Sequence, residues 1–131
     1  MERTEHNPWS WQEEFGFVQG NQVQGAERTL YCAGQTAMDE NGAPQHAGDM
    51  RAQAMMALDN LEAVLSSAKM SLENVVRLNV YTTDIDGLFE HYGALAERLG
   101  AGGCRHAGTL LQVSRLAFPE LMVELEATAV A

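Results

Sequence analysis

Two amphipathic helices separated by one cleanly alternating strand constrain this chain more than any other feature of its sequence. Along Met50 to Ala68, apolar residues recur at Met50, Ala54, Ala57, Leu61, Val64, Leu65 and Ala68. That is helical spacing, with Arg51, Asn60, Glu62, Ser66 and Ser67 elsewhere on the wheel. Asp49 is placed to cap this helix. Asn74 to Thr82 then alternates, Val76, Leu78 and Val80 pointing one way and Arg77, Asn79 and Tyr81 the other. A second helix begins at Asp84 and Asp86, whose carboxylates suit the helix dipole, and is expected to end at Gly100. Its buried stripe is Leu88, Tyr92, Leu95 and Leu99.

Strands flank this unit. Phe17 to Val23 and Arg28 to Ala33 read as a hairpin, with turn residues from Asn21 to Gly25. Gly108 to Arg115 and Leu121 to Val130 read as two closing strands joined around Pro119, and Asp39 to Gly48 as a loop. The order ββαβαββ predicts an α+β fold with one mixed sheet. Right-handed crossovers put both helices on the same face of it. Nothing in the chain covers the other face, where Glu124, Glu126 and Thr128 share a side with Met122 and Val130. A bare, half-apolar face predicts an oligomer with ligand sites between subunits. Residues 1–14, with Trp9 and Trp11, carry no clear period and read as an N-terminal arm or edge segment before a single domain, 15–131.

Composition removes several function classes. The 131 residues suit one core, and the formal net charge of -10 repels a phosphate backbone, which argues against nucleic-acid binding. The eight cations are scattered. Met1 to Glu14 is too polar for a signal peptide, and no stretch reaches the roughly 18 apolar residues of a membrane span. Cys32 and Cys104 make no disulfide scaffold, so a reduced, cytoplasmic setting is expected. The four histidines lack zinc-site spacing, and no metal is expected.

Several segments resemble one family in its own order. They are Phe17-Val18-Gln19-Gly20, Ala33-Gly34-Gln35, Ala57 to Leu65 (ALDNLEAVL), Val75 to Asp84 (VVRLNVYTTD), Gln112 to Leu116 (QVSRL) and Val123 to Ala127 (VELEA). Together they identify the chain as similar to the Rid reactive-intermediate deaminases, also called YjgF-type or L-PSP endoribonuclease-like proteins. The resemblance implies a chorismate-mutase-like α+β subunit, a homotrimer, and a small-molecule cleft at each subunit interface. It also implies hydrolysis of 2-imino or 2-enamino acids to 2-oxo acids and ammonia, with no metal or organic cofactor. An arginine fork holds the substrate carboxylate in such chemistry, and a nearby carboxylate orders or deprotonates the attacking water.

Aligned on Gln112 to Leu116 without a gap, Gly108 stands where the family arginine would be and Thr109 where a serine usually follows. Losing that charge-assisted contact would cost on the order of 2–5 kcal/mol of substrate binding. Phe17 matches an aromatic position but lacks the usual phenolic OH, and Tyr92 takes a helix position that is often Asn. The resemblance places Glu124 near substrate as a catalytic carboxylate, or else as a satisfied interface acid, and Gly34 beside the cleft. Arg105 lies three residues before Gly108, a reach of up to roughly 10 Å, and either turns into the cleft as a substitute clamp or stays a solvated loop residue. Arg115 reads as a partner for an acid at the subunit contact. A Cys104 and His106 nucleophilic pair is disfavoured, because residues two apart in a loop make no defined pair.

Three functions follow in order of preference. The first is an imine or enamine hydrolase whose substrate lacks a carboxylate or has it held by Arg105. The second is a noncatalytic small-molecule-binding or regulatory trimer. The third, an endoribonuclease, conflicts with the net charge.

Overall fold

In the computed structural model, which describes all 131 residues, both helices begin at an aspartate as their positions predict. Asp49 precedes α1 (Met50–Ser67) and accepts the Ala52 amide at 3.0 Å; Asp84 precedes α2 (Ile85–Ala101) and accepts the Gly87 amide at 3.1 Å. The strands are β1 (Glu2–His6), β2 (Gly20–Gln24), β3 (Thr29–Tyr31), β4 (Val75–Thr82), β5 (Leu110–Gln112) and β6 (Val123–Val130). Short 3-10 helices occupy Trp11–Phe15 and Leu72–Asn74.

The main sheet runs β3-β6-β4-β5. β6 is antiparallel to both of its neighbours, and β4 and β5, joined through α2, are parallel. The fold is α+β, with a mixed sheet and both helices on one face. Between helices and sheet lie Ala54, Ala57, Leu58, Leu61 and Leu65 of α1, Leu88, Leu95 and Leu99 of α2, and Val123, Leu125, Ala127 and Ala129 of β6, all buried in one cluster. Alanines on both α1 and β6 let the helix lie close to the strand. No helix is long and apolar enough to cross a membrane.

Three local expectations are corrected. The segments 17–23 and 28–33 do not form a hairpin, because β2 pairs with β1 while β3 pairs with β6. Gly25, at φ +70°, turns the chain away, and the Glu27 and Arg28 amides then bond to the Ala131 carbonyl, which delivers β3 to the free edge of β6. In β4 a bulge between Val75 and Arg77 turns Val75 into the core and leaves Val76 half-buried, so alternation holds only from Arg77 onward. Helix α2 passes Gly100 and is closed by Gly102, whose amide bonds to the Arg98 carbonyl.

The first residues carry no readable period but are held by pairing with β2 and by side chains of the ribbon that reach distant backbone carbonyls. Arg3 donates to the carbonyls of Glu73 (3.0 Å), Val75 (3.1 Å) and Arg105. Asn21 donates to those of Val76 (2.7 Å) and Arg105 (2.9 Å). The β1-β2 ribbon is thereby fastened to the start of β4 and to the loop before β5.

Candidate functional site

A cleft of about 300 Å³ opens where the loop after α2 meets β4. Its floor is Leu78 and Val80 of β4 with Gly108, Thr109 and Leu110. One wall is aromatic and N-terminal: Trp11 meets Phe15 and Phe17 edge to face, at ring separations of 6.4 and 5.7 Å. The other wall is Phe89 and Tyr92 of α2, 6.1 Å apart and also edge to face. Five of the nine aromatic residues of the chain therefore line one cleft. Tyr92 is half-buried between core and cleft rather than sealed in the core.

Gly108 is dictated by the backbone. A Cβ there would lie 2.7 Å from the Leu78 carbonyl carbon and closer still to its oxygen. The ladder is broken at this point: Leu78 and Val80 donate to the carbonyls of Ala107 and Thr109, both at 2.9 Å, but the Thr109 amide bonds to Asn79 Oδ1 at 3.1 Å. The position has lost the room for any side chain, not only the arginine.

Cys104 and His106 do form a defined contact, contrary to the sequence expectation, with Sγ 3.5 Å from Nδ1 and both residues buried. Backbone bonds hold the loop in place, the Cys104 amide to the Leu99 carbonyl and the His106 carbonyl to the Val18 amide, each at 2.9 Å. Burial pushes the thiol up to about 12. Burial, with Arg105 and Arg3 nearby, lowers the imidazole to about 4. Both groups are neutral at pH 7, so the pair holds no thiolate nucleophile. His106 also lines the cleft.

Arg105 is held by Glu5 of β1, with Nε on Oε1 and Nη2 on Oε2, both at 2.9 Å. This hydrogen bond and charge lower the Glu5 pKa and raise that of Arg105. Arg105 does not line the cleft. Because the pair is exposed, Arg105→Ala should change the unfolding free energy by no more than about 1 kcal/mol in urea titration. A larger loss would mean that Arg105 holds more than Glu5.

Glu124 and Gly34 lie together elsewhere. Mutual backbone bonds between Gln35 and Leu125, at 2.7 and 2.9 Å, set Gly34 against the Glu124 side chain. A Cβ on Gly34 would sit 2.7 Å from Glu124 Cδ and nearer to Oε1. Burial, then the charge of Glu126, raises the Glu124 pKa. Glu126 is lowered instead, because Asn79 and Tyr81 both donate to its Oε1 at 3.0 Å. Two neighbouring carboxylates are thus driven apart in acidity, with Glu124 the readier of the two to accept a proton.

Glu124 alternates with buried Val123 and Leu125, so it points to the sheet face without helices; Leu78 and Val80 of the cleft point to the helix face. Within one chain, Phe17, Tyr92, Gly108 and Thr109 come together, Gly34 and Glu124 come together, and the two groups stand on opposite faces. Sequence reasoning missed Trp11, Phe15, Phe89 and His106 as cleft residues. The aromatic density of Trp11 to Phe17 was the available signal. No three His, Cys, Asp or Glu side chains converge in a metal-binding cluster.

The class defined by this geometry is an α+β domain with a small, largely apolar cleft. The family profile described as Endoribonuclease L-PSP matches residues 14–131. A RutC family protein of Pyrococcus horikoshii is 31% identical over 100 residues, covering 76% of this chain and 77% of the relative. Among solved structures, a protein of unknown function of the conserved Rid family from Yersinia pestis, YyfB, matches at TM-score 0.89 and 34% identity over the whole of both chains. The YjgF gene product of Escherichia coli matches at TM-score 0.68 and 27% identity over 86% of each chain. The chain belongs to the L-PSP endoribonuclease family, the Rid or YjgF proteins.

Proposed function

We propose that this protein is a Rid-type hydrolase that converts an imine or enamine to a carbonyl compound and ammonia. The cleft works between subunits of a homotrimer, without a metal or organic cofactor, in the cytoplasm. The observation that carries the reading is the half-buried Glu124, raised in pKa and set against the Gly34 backbone on the bare face of the sheet. Glu124 and the aromatic cleft lie on opposite faces of one subunit, which favours a site completed by a second copy. The family membership supports both parts of the reading.

In this mechanism Glu124 orients a water against the C=N carbon and takes one of its protons as the C–O bond forms. The proton passes to the nitrogen, the C–N bond breaks, and the balance is imine plus water to carbonyl plus ammonia. Gly108 has no means to clamp a carboxylate, so substrate preference departs from that of 2-imino acid deaminases.

The test is ammonia release from imines generated in place, by an amino-acid oxidase for charged imines and an amine oxidase for uncharged ones. The wild type should accelerate hydrolysis, and Glu124→Gln should lower kcat/KM by about 10²–10⁴-fold with the oligomer intact. Because the Glu124 pKa is raised, kcat/KM should fall as pH drops through a value above the ordinary carboxylate range. Absence of acceleration with either imine class would remove the hydrolase reading.

One observation favours a second reading, a noncatalytic binding trimer: the only arginine near Gly108 in sequence is spent on Glu5. In that case ligands raise the Tm with no turnover. An RNA-cleaving role is opposed by the net charge of -10.

A further inference from the structure

We infer that the cleft selects an uncharged, ring-bearing imine or its carbonyl, held between two aromatic walls, with its heteroatom hydrogen-bonded to His106 Nε2. The imine chemistry in this inference rests on the hydrolase reading; the preference for an uncharged ring does not.

The walls come first. Trp11, Phe15 and Phe89 are more than half exposed although they are large and apolar, and all three border the same cleft. Aromatic edges and faces pair well with another ring, and the cleft volume sits at the small end of the ~300–1,000 Å³ found for small-molecule sites. No Lys, Arg, Asp or Glu of the same subunit lines it, and the one charged group that the proposed assembly brings from a second copy, Glu124, is itself a carboxylate. A carboxylate entering such a cleft would be desolvated with no counter-charge in contact.

The neighbouring cations are committed elsewhere. Arg3 has its guanidinium on three backbone carbonyls and Arg105 is bidentate to Glu5. Their charge reaches His106 through space, but neither offers a fork to the cleft. Gly108 leaves no room for a new one.

The polar handle is His106. Its Nδ1 meets Cys104 Sγ, while Nε2 has no partner within the chain. No fully buried side-chain nitrogen or oxygen lacks a partner, so Nε2 is not sealed away, and His106 is a lining residue of the cleft. Nδ1 is engaged by the Cys104 sulfur, so Nε2 is the ring nitrogen left for a ligand. It donates to a carbonyl oxygen or imine nitrogen when Cys104 donates to Nδ1, and accepts an imine N–H when Nδ1 donates to sulfur. In the donor tautomer the contact also favours electron withdrawal from the C=N carbon that water attacks.

The experiment compares two ligands of the same skeleton, phenylacetone and phenylpyruvate, which differ by a methyl against a carboxylate. Binding is read by Trp11 fluorescence in a Trp9→Phe background, since Trp9 is exposed and outside the cleft. Phenylacetone should bind at least about ten-fold more tightly, the factor that 1.4 kcal/mol represents. Phe89→Ala should weaken phenylacetone binding through the lost wall, and His106→Phe should weaken it through the lost polar contact, with the fold of both retained by circular dichroism. Equal binding, tighter phenylpyruvate, or no binding of either ligand would overturn the inference. Turnover separates it from the hydrolase reading. Selective phenylacetone binding without hydrolysis of any imine keeps the selectivity and removes the catalysis. Hydrolysis of charged imino acids with no selectivity does the reverse.

Discussion

Replacing Gly108 with arginine is expected to break the β4-β5 edge and not to rebuild a carboxylate clamp. The side chain begins with a Cβ, and that atom alone collides with the Leu78 carbonyl, which belongs to β4 and is anchored on both sides by ladder bonds. A backbone group cannot swing aside as a side-chain tip can. Gly108→Ala should therefore cost about 3 kcal/mol and lower the Tm by roughly 10 °C, and Gly108→Arg should cost more. Gly93 supplies the control. It lies exposed inside α2 with nothing within 4 Å of the place a Cβ would take, so Gly93→Ala should stabilise by about 0.5–1 kcal/mol. A Gly108→Arg protein with unchanged Tm and new activity on 2-imino acids would show that the edge can reshape, and the steric account would be wrong.

Gln53→Met should be nearly as damaging although it exchanges a polar side chain for an apolar one of similar size in the core. Gln53 is fully buried in α1 and makes three bonds to backbone. Its Nε2 donates to the carbonyls of Gln45 (3.1 Å) and Glu120 (2.8 Å), and its Oε1 accepts the Met122 amide (2.8 Å). Methionine would strand three backbone groups, at about 1–3 kcal/mol for each one that stays dry. An overall loss of about 3–5 kcal/mol in urea unfolding is expected. These bonds also hold Met122, which leads into β6 two residues before Glu124, so the proposed hydrolysis by folded Gln53→Met should fall further than the unfolded fraction explains. A loss below about 1 kcal/mol would mean that water replaces the lost partners.

Much of the scaffold was legible because it depends on local rules. The helix period from Met50 and the caps at Asp49 and Asp84 follow from side chains a few residues apart, and the structure keeps them. The β1-β2 pairing was not legible. It depends on Arg3 and Asn21 reaching carbonyls more than fifty positions away, for which sequence carries no period. The bulge in β4 escaped for a related reason: Val75 and Val76 are chemically alike, and only pairing with β6 decides which one faces the core.

At the candidate site the division is sharper. Sequence alone determined that position 108 carries no clamp, that nine aromatics and eight scattered cations are available, and that Glu124 and Glu126 share a side in a two-residue alternation. Those are matters of residue identity and spacing. Tertiary structure decided that Arg105 is taken by Glu5, that Trp11 and Phe89 line one cleft, and that Glu124 points to the opposite face from it. Such facts turn on which distant groups satisfy one another's charge, hydrogen bonds and apolar surface. That competition is settled only when the whole chain has packed, because each buried group takes the best partner in reach and not the nearest in sequence.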